Sequence, residues 1–327
     1  MKRWVFPPFF IKSKHFKPSI YLSENKTNNN IKNRVKIMAI NFDGLTSYVD
    51  EQRFPLIKKA VLGAKSVGII NLQSGVKKSA ALNLINVEPT IQAGGCGWNA
   101  EGVATLSQRV LETELLKVNI PFCDKDFINY WTNYEVKVGA GRETLPFEEY
   151  FTSSVIENVN AKIERMVWQG RKENSGEFNG ILAVLEGTDA VSVESVASAY
   201  GAIKAVYEAI PVEVLPKASI FVGADTFRSF MLEMVEKNYF HYSADAVEEF
   251  ILPGTNTKVI AVNGLNGTKK VIAADPMNLF YGCDMLDDAE TFDLWYSKDN
   301  REYRLAVQFN AGTQVAYPNE VVIGGRQ

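Results

Sequence analysis

LPFEEYFTSSVIENVNAKIERMVWQGR, residues 145–171, carries the strongest helical pattern in the chain. Pro146 suits the first helical position, and Glu148 and Glu149 suit the positive end of a helix dipole. Phe147, Phe151, Val155, Val159, Ile163 and Val167 recur every four residues. A step of four overshoots one 3.6-residue turn by about 40°, so the apolar stripe winds around the helix. One flat packing face does not explain that pattern; a long helix over 146–169, crossing several partners in turn, does. Gly170 is placed to end it, and Trp168 reads as core.

C-terminal to this helix the pattern is α/β. Ser192 is a candidate cap for a helix whose face holds Val193, Val196, Ala197, Tyr200, Ile203 and Tyr207. The run 218–222 (ASIFV) reads as a buried strand. Asp225 can cap the helix after it, with Phe227, Phe230, Met231 and Met234 inward. Short strands follow at 258–262 and 270–274. The end of the chain alternates: Phe292, Leu294 and Tyr296 share a face, as do Tyr303, Leu305, Val307 and Phe309. Asp299-Asn300 joins the two runs as a tight connection.

N-terminal to the helix, Leu116, Val118, Ile120 and Phe122 alternate with polar residues as in a half-buried strand. Asp124 then begins a short helix through Trp131. Residues 66–107 alternate weakly and are broken by Gly75, Pro89, Gly94, Gly95, Gly97 and Gly102. They read as a long β-hairpin with little apolar content of its own, which must lie against something else, such as another subunit. Residues 41–64 suggest one short helix with Asp50, Glu51, Lys58 and Lys59 on its wet side. Residues 1–37, with three prolines and an Asn run, match no regular element and are expected to be disordered. MAINFDGLTSYVD, from Met38, reads like a fresh start of translation.

Composition bounds the function. The chain has 327 residues, 46% hydrophobic and 22% charged, enough for a sizeable core. No run of eighteen apolar residues occurs, so no membrane partner is expected. The first 37 residues hold nine Lys or Arg against Glu24, a charge of +8; the remainder holds 26 basic and 37 acidic residues, or −11. An acidic body does not point to a nucleic-acid-binding protein, but it suits a container that must not trap packed DNA. Cys96, Cys123 and Cys283 lie far apart without a CxxC, which fits a reducing compartment and no disulfide framework. With His15 and His241 the only histidines, no His-rich metal site is expected, and no cofactor motif occurs.

Gly94-Gly95-Cys96-Gly97-Trp98 invites a cysteine-hydrolase reading, with His241 as base. The flexible tip of a loop, with Trp98 docking on a neighbour, is the better one. Gly264-Leu265-Asn266-Gly267 with Lys269 and Lys270 lacks the strand–GxxxxGK–helix frame and reads as a turn between strands. Lys77-Lys78 is a basic spot in the hairpin. The paired acids Glu148-Glu149, Glu248-Glu249 and Asp287-Asp288 read as helix starts and solvated faces.

Three stretches carry a resemblance to the major capsid proteins of tailed bacteriophages. IQAGGCGWNAEGVATLSQR (91–109) resembles the extended loop of capsid proteins from phages of Bacteroidota hosts. Residues 145–171 with FNGIL (178–182) resemble the spine helix and its glycine-bearing exit. AADPMNLFYGCDMLDD (273–288) resembles the late axial segment. The resemblance runs from about Met38 to the C-terminus and implies an α+β fold of the Hong Kong 97 type. Residues 1–38 stand outside it as a leader, and it implies an N-terminal arm at 39–66 and an extended β-hairpin loop at 67–108. A peripheral domain with the spine helix would occupy 109–182 and 289–318, and an axial α/β domain 183–288 and 319–327. By the same resemblance the chain is a structural, non-enzymatic subunit of an icosahedral head, made in the host cytoplasm. Its partners would be itself, as pentamers and hexamers, together with scaffold, portal, maturation protease and packaged double-stranded DNA. Lys77, Lys78 and Trp98 are the expected inter-subunit contacts. An encapsulin-type nanocompartment shell has the same fold and is the nearest alternative.

Overall fold

Two helices open the described chain, α1 (Phe42–Glu51) and α2 (Arg53–Leu62), where a single helix was expected. Pro55 accounts for the break. It has no N–H to offer the carbonyl four residues back, at Glu51, and its ring crowds that oxygen. Leu45, Val49, Leu56, Ile57, Ala60 and Val61 are buried, while Asp50, Glu51, Lys58 and Lys59 are exposed as expected. The computed structural model describes residues 42–88, 90–92, 94, 102–123, 147–237, 249–284 and 291–327. The chain divides into Met1–Ala39 and Ile40–Gln327, and every described residue belongs to the second unit. The expected helix at 124–131 lies outside the described residues.

With strands numbered along the chain, β1 (Asn71–Ser74), β4 (Glu114–Phe122), β10 (Leu279–Cys283), β11 (Thr291–Ser297) and β12 (Glu302–Val315) form one five-stranded sheet. β12 is its spine. β4 pairs with it along one edge; β11 and then β10 pair along the other, and β1 adds parallel to β10. The register brings Phe292 opposite Val307 and Leu294 opposite Leu305, with Leu116 opposite Phe309 and Val118 opposite Val307. The alternating apolar residues therefore share one face, and the turn at 298–301 joins β11 to β12 as the sequence predicts.

That face receives α3 (Phe147–Gln169), the long helix. Phe151, Val155, Val159, Ile163 and Val167 are buried, and so are Ile156 and Trp168 beside them. The winding stripe has its expected cause: along its length α3 meets α1, α2, the sheet and the turn Asn263–Leu265. Phe122 and Phe151 rings lie 4.9 Å apart near its start, and Trp168 and Phe221 rings 5.1 Å apart near its end. Gly170 follows the helix, but it caps nothing in the left-handed region. A β-carbon there would stand 2.3 Å from the Phe178 carbonyl oxygen. The glycine is required by the returning chain, which bonds Gly180 N–H to Gly170 C=O at 2.9 Å and enters α4 (Ile181–Leu185).

A second sheet has the order β5-β13-β9-β6-β8-β7, built from β5 (Val191–Ser192), β6 (Ser219–Gly223), β7 (Glu249–Ile251), β8 (Lys258–Val262), β9 (Lys270–Ala274) and β13 (Val322–Gly325). Its central strands are covered on both faces. Phe221, Ile260, Val262, Ile272 and Ala274 join the core around α3. Ile220, Val222, Val259, Ala261, Val271 and Ala273 join a second core beneath α5 (Ala199–Glu208) and α6 (Ala224–Glu236). Double coverage explains why these strands read as continuous apolar runs rather than alternating ones.

Both predicted helix caps shift. Ser192 lies in β5, and Ser198 caps α5, accepting from Gly201 N–H at 3.0 Å. Of the predicted face Ile203 is buried, together with Ala199, Ala202 and Val206, while Val193, Val196, Tyr200 and Tyr207 pack half-buried against the same core. α6 is capped at Gly223, and Asp225 sits in its first turn. Glu233 of α6 reaches across to α5, accepting from the Ser198 hydroxyl (2.6 Å) and from the Ala199 and Tyr200 amides (2.8 and 2.9 Å). Burial pushes the Glu233 carboxyl up, but these donors and Lys237 outweigh it and hold the group below its ordinary value.

Candidate assembly surface

Strands β2 (Ser79–Glu88) and β3 (Val103–Glu112) form the long hairpin as a two-stranded sheet of their own. It starts and ends later than 66–107, because residues 71–74 leave it to pair with β10. Its root is fixed. Val76, Leu82 and Leu111 form a small buried cluster; Val76 N–H bonds Cys283 C=O at 3.1 Å, and Thr113 N–H bonds Lys78 C=O at 2.9 Å. Gln314 adds a bond from its side-chain amide to Val110 C=O at 2.6 Å.

Only Thr113 separates β3 from β4, and the chain crosses the five-stranded sheet there. The crossing needs a slot. Gly282 and Gly312 face each other on β10 and β12 and supply it. A β-carbon on Gly312 would lie 2.0 Å from the Glu112 carbonyl oxygen, and one on Gly282 would lie 2.9 Å from Leu111 Cδ2. The sheet thereby sets the direction in which the hairpin leaves the body.

Beyond the root the two faces differ. Leu82 and Leu84 are buried on one. On the other, Ala81, Asn83, Ile85 and Val87 stand opposite Val110, Gln108, Leu106 and Ala104. Here Ile85 is 62% exposed, Leu106 78%, Val87 57% and Val110 47%. Ile85 and Leu106 are direct cross-strand partners, and Gln108 bonds Asn83 at 3.0 Å, so the apolar groups form a stripe held in register. Such a stripe on a two-stranded ribbon is the kind of exposed apolar surface that marks an interface.

The sequence expectation of a hairpin poor in apolar residues is corrected by this stripe. The signal was present in LNLINV (82–87). Leu82 and Leu84 point to one face and Ile85 and Val87 to the other, and a strand apolar on both faces is one covered on both. Lys77 and Lys78 are exposed in the bend at the hairpin root. Trp98, Cys96 and His241 lie outside the described residues. The stretch 263–269 forms a turn between β8 and β9, as expected, with Gly267 at φ 78° and Lys269 at φ 54°.

No protein-family model matches the sequence, and comparison with curated proteins finds no match. Solved structures do match. A chain of the satellite phage P4 procapsid, which includes the size determination protein, aligns with a TM-score of 0.56 at 11% identity, covering 83% of this chain and 90% of its own. A chain of the capsid of the empty GTA particle aligns at 0.53 and 10%, covering 82% and 90%. A chain of Gordonia phage Cozz aligns at 0.53 and 10%, covering 80% and 86%. The chain has a phage-capsid fold. At such identities the likeness is one of fold. Among the described residues no helix is long and apolar enough to cross a membrane.

Proposed function

We propose that this chain is a structural, non-enzymatic subunit of an icosahedral phage head, self-assembling into a shell that encloses double-stranded DNA. The observation that carries the reading is the capsid fold combined with a hairpin whose outer face is apolar and uncovered within the described chain. A hairpin with its root locked and its blade exposed suits a loop laid over an adjacent subunit. Ring formation from one kind of chain needs heterologous contacts that close, giving pentamers and hexamers. Many modest contacts then add up through multivalency. The −11 charge of residues 38–327 suits a wall that holds packed DNA without binding its sequence.

In this reading residues 39–66 are the arm and 67–108 the extended loop. Residues 109–182 with 289–318 make the peripheral domain, and 183–288 with 319–327 the axial domain. Lys77, Lys78 and Trp98 contact neighbouring subunits. Scaffold, portal and maturation protease are the expected helpers, and the likeness of 91–109 points to a phage of a Bacteroidota host.

The test is expression from Met38 and from Met1, followed by light scattering and negative-stain microscopy. Closed shells or regular pentamers and hexamers are expected from the Met38 form. Trp98→Ala should weaken assembly and Cys96→Ser should leave it intact. A stable monomer from both forms at high concentration with scaffold present, or thiol-dependent ester hydrolysis abolished by Cys96→Ser, would overturn the reading.

A further inference from the structure

Between α3 and the β4 side of the five-stranded sheet lies a groove of about 390 Å³. Its floor is apolar, formed by Leu116, Val118, Val159, Ile163, Met166 and Phe309. Its rim is cationic, formed by Lys117, Lys162 and Arg165. None of these three cations forms a hydrogen bond or an ion pair among the described residues. Glu177, the one acid on the rim, accepts from Asn174 at 2.9 Å and from Arg171 N–H at 3.2 Å through a single oxygen, and Arg165 helps to hold its carboxyl below the ordinary value, so Lys117 and Lys162 leave the rim with a net positive charge. β4 borders the groove, and among the described residues it is paired only on its β12 side. Every second residue of this nine-residue strand therefore turns its N–H and C=O outward.

We propose that this groove binds an extended acidic peptide segment of a partner protein. The segment adds a strand to β4, seats apolar side chains on the floor, and sets its carboxylates against Lys117, Lys162 and Arg165. Three features on one edge define the ligand. Unpaired backbone groups call for an extended chain. The apolar floor calls for side chains of that kind at alternate positions. The unpaired cations call for carboxylates on the alternation between them. A polynucleotide uses neither the apolar floor nor the strand edge. The +8 segment at residues 1–37 is repelled by the rim. The inference concerns a face other than the hairpin and does not depend on shell assembly.

The probe is a fluorescein-labelled nine-residue peptide alternating glutamate and valine, titrated into the unassembled full chain by fluorescence anisotropy. Saturable binding is expected, weakening as salt rises. Lys162→Ala with Arg165→Ala should weaken it about tenfold at unchanged melting temperature, since both side chains are exposed and unpaired. A peptide with proline at alternate positions, which cannot donate to β4, should fail to bind. The proposal is overturned by the absence of saturable binding, by equal binding of a lysine–valine peptide, or by an unchanged affinity in the double variant. Tighter binding of a labelled thymidine oligonucleotide would make the groove a phosphate site instead. Self-association of the chain that the double variant abolishes would assign it to a second copy.

Discussion

Replacing Ile85 and Leu106 together by threonine tests the hairpin face directly. Threonine is β-branched, as strands favour, so the ribbon is preserved. Each substitution removes about two apolar carbons, at about 0.8 kcal/mol for each one fully buried. The two side chains are 62% and 78% exposed in the single chain, so most of that contribution waits for a neighbour. The loss is about 2 kcal/mol per inter-subunit contact, or roughly thirtyfold in affinity. Every subunit both gives and receives a hairpin in the proposed shell, so the concentration at which light scattering reports assembly should rise by at least that factor. Thermal unfolding of the unassembled chain should stay within about 2 °C, because exposed surface substitutions stay within about ±0.5 kcal/mol. An unchanged assembly threshold would refute the reasoning, since the stripe would then stay exposed in the shell. A fall in melting temperature of more than about 5 °C would refute it differently, by showing that the stripe packs within its own chain.

Three further outcomes follow from buried or crowded polar groups. Ser66 takes a hydrogen bond from Trp168 Nε1 at 2.6 Å and gives its own to buried Glu164 at 2.6 Å, while its amide adds another at 2.8 Å. Ser66→Ala strands the indole N–H and half of the carboxylate, and differential scanning calorimetry should show a loss of about 2–4 kcal/mol. The depressed Glu233 carboxyl stabilises the fold above its unfolded value near 4.5, and that contribution is lost as pH falls through the lower folded value. Glu233→Gln should therefore melt lower than wild type at pH 7, with the gap closing in acid. Glu320 is the opposite case: burial first, then Asp275 and Glu213, raise its carboxyl, while Lys217 opposes them. Its ionisation costs stability as pH climbs from near 4.5 through the raised folded value, so Glu320→Gln should melt higher than wild type at pH 7 and equal to it near pH 4.

The long helix and the β11–β12 pair were legible because their signals are local. The four-residue step of the stripe and the period-2 alternation each survive in a single stretch of chain. Three features were hidden because they depend on partners far away in sequence. The caps moved from Ser192 and Asp225 to Ser198 and Gly223 because β5 claims Ser192 and because a glutamate 35 positions beyond Ser198 fixes where α5 begins. Gly170 looked like an ordinary helix stop, yet it is the approach of Phe178 that requires it. Each strand of the hairpin shows only half of the stripe. Ile85 and Leu106 become one surface only when the register between β2 and β3 is known.

The slot at Gly282 and Gly312 bears most directly on whether the hairpin's direction matters. Gly312→Ala would place a β-carbon 2.0 Å from the carbonyl oxygen of Glu112 and 3.0 Å from Thr113 Cα, both backbone atoms. A side chain could swing aside; this junction can only move as a whole, by about 1 Å or more to reach ordinary contact. β3 continues from that junction for ten residues, about 33 Å of strand. A small rotation at the root therefore displaces the far end of the ribbon by several times the shift at the pivot. The unassembled chain should keep its secondary structure by circular dichroism, because the clash is confined to the β3–β4 junction while α3 and the six-stranded sheet lie away from it. Negative-stain microscopy of the same variant should then show open sheets, or shells of altered diameter, since heterologous contacts close only at a set angle. Shells of wild-type diameter from a normally folded Gly312→Ala chain would mean that neighbours, not the root, aim the hairpin, and that the ribbon bends freely at Thr113.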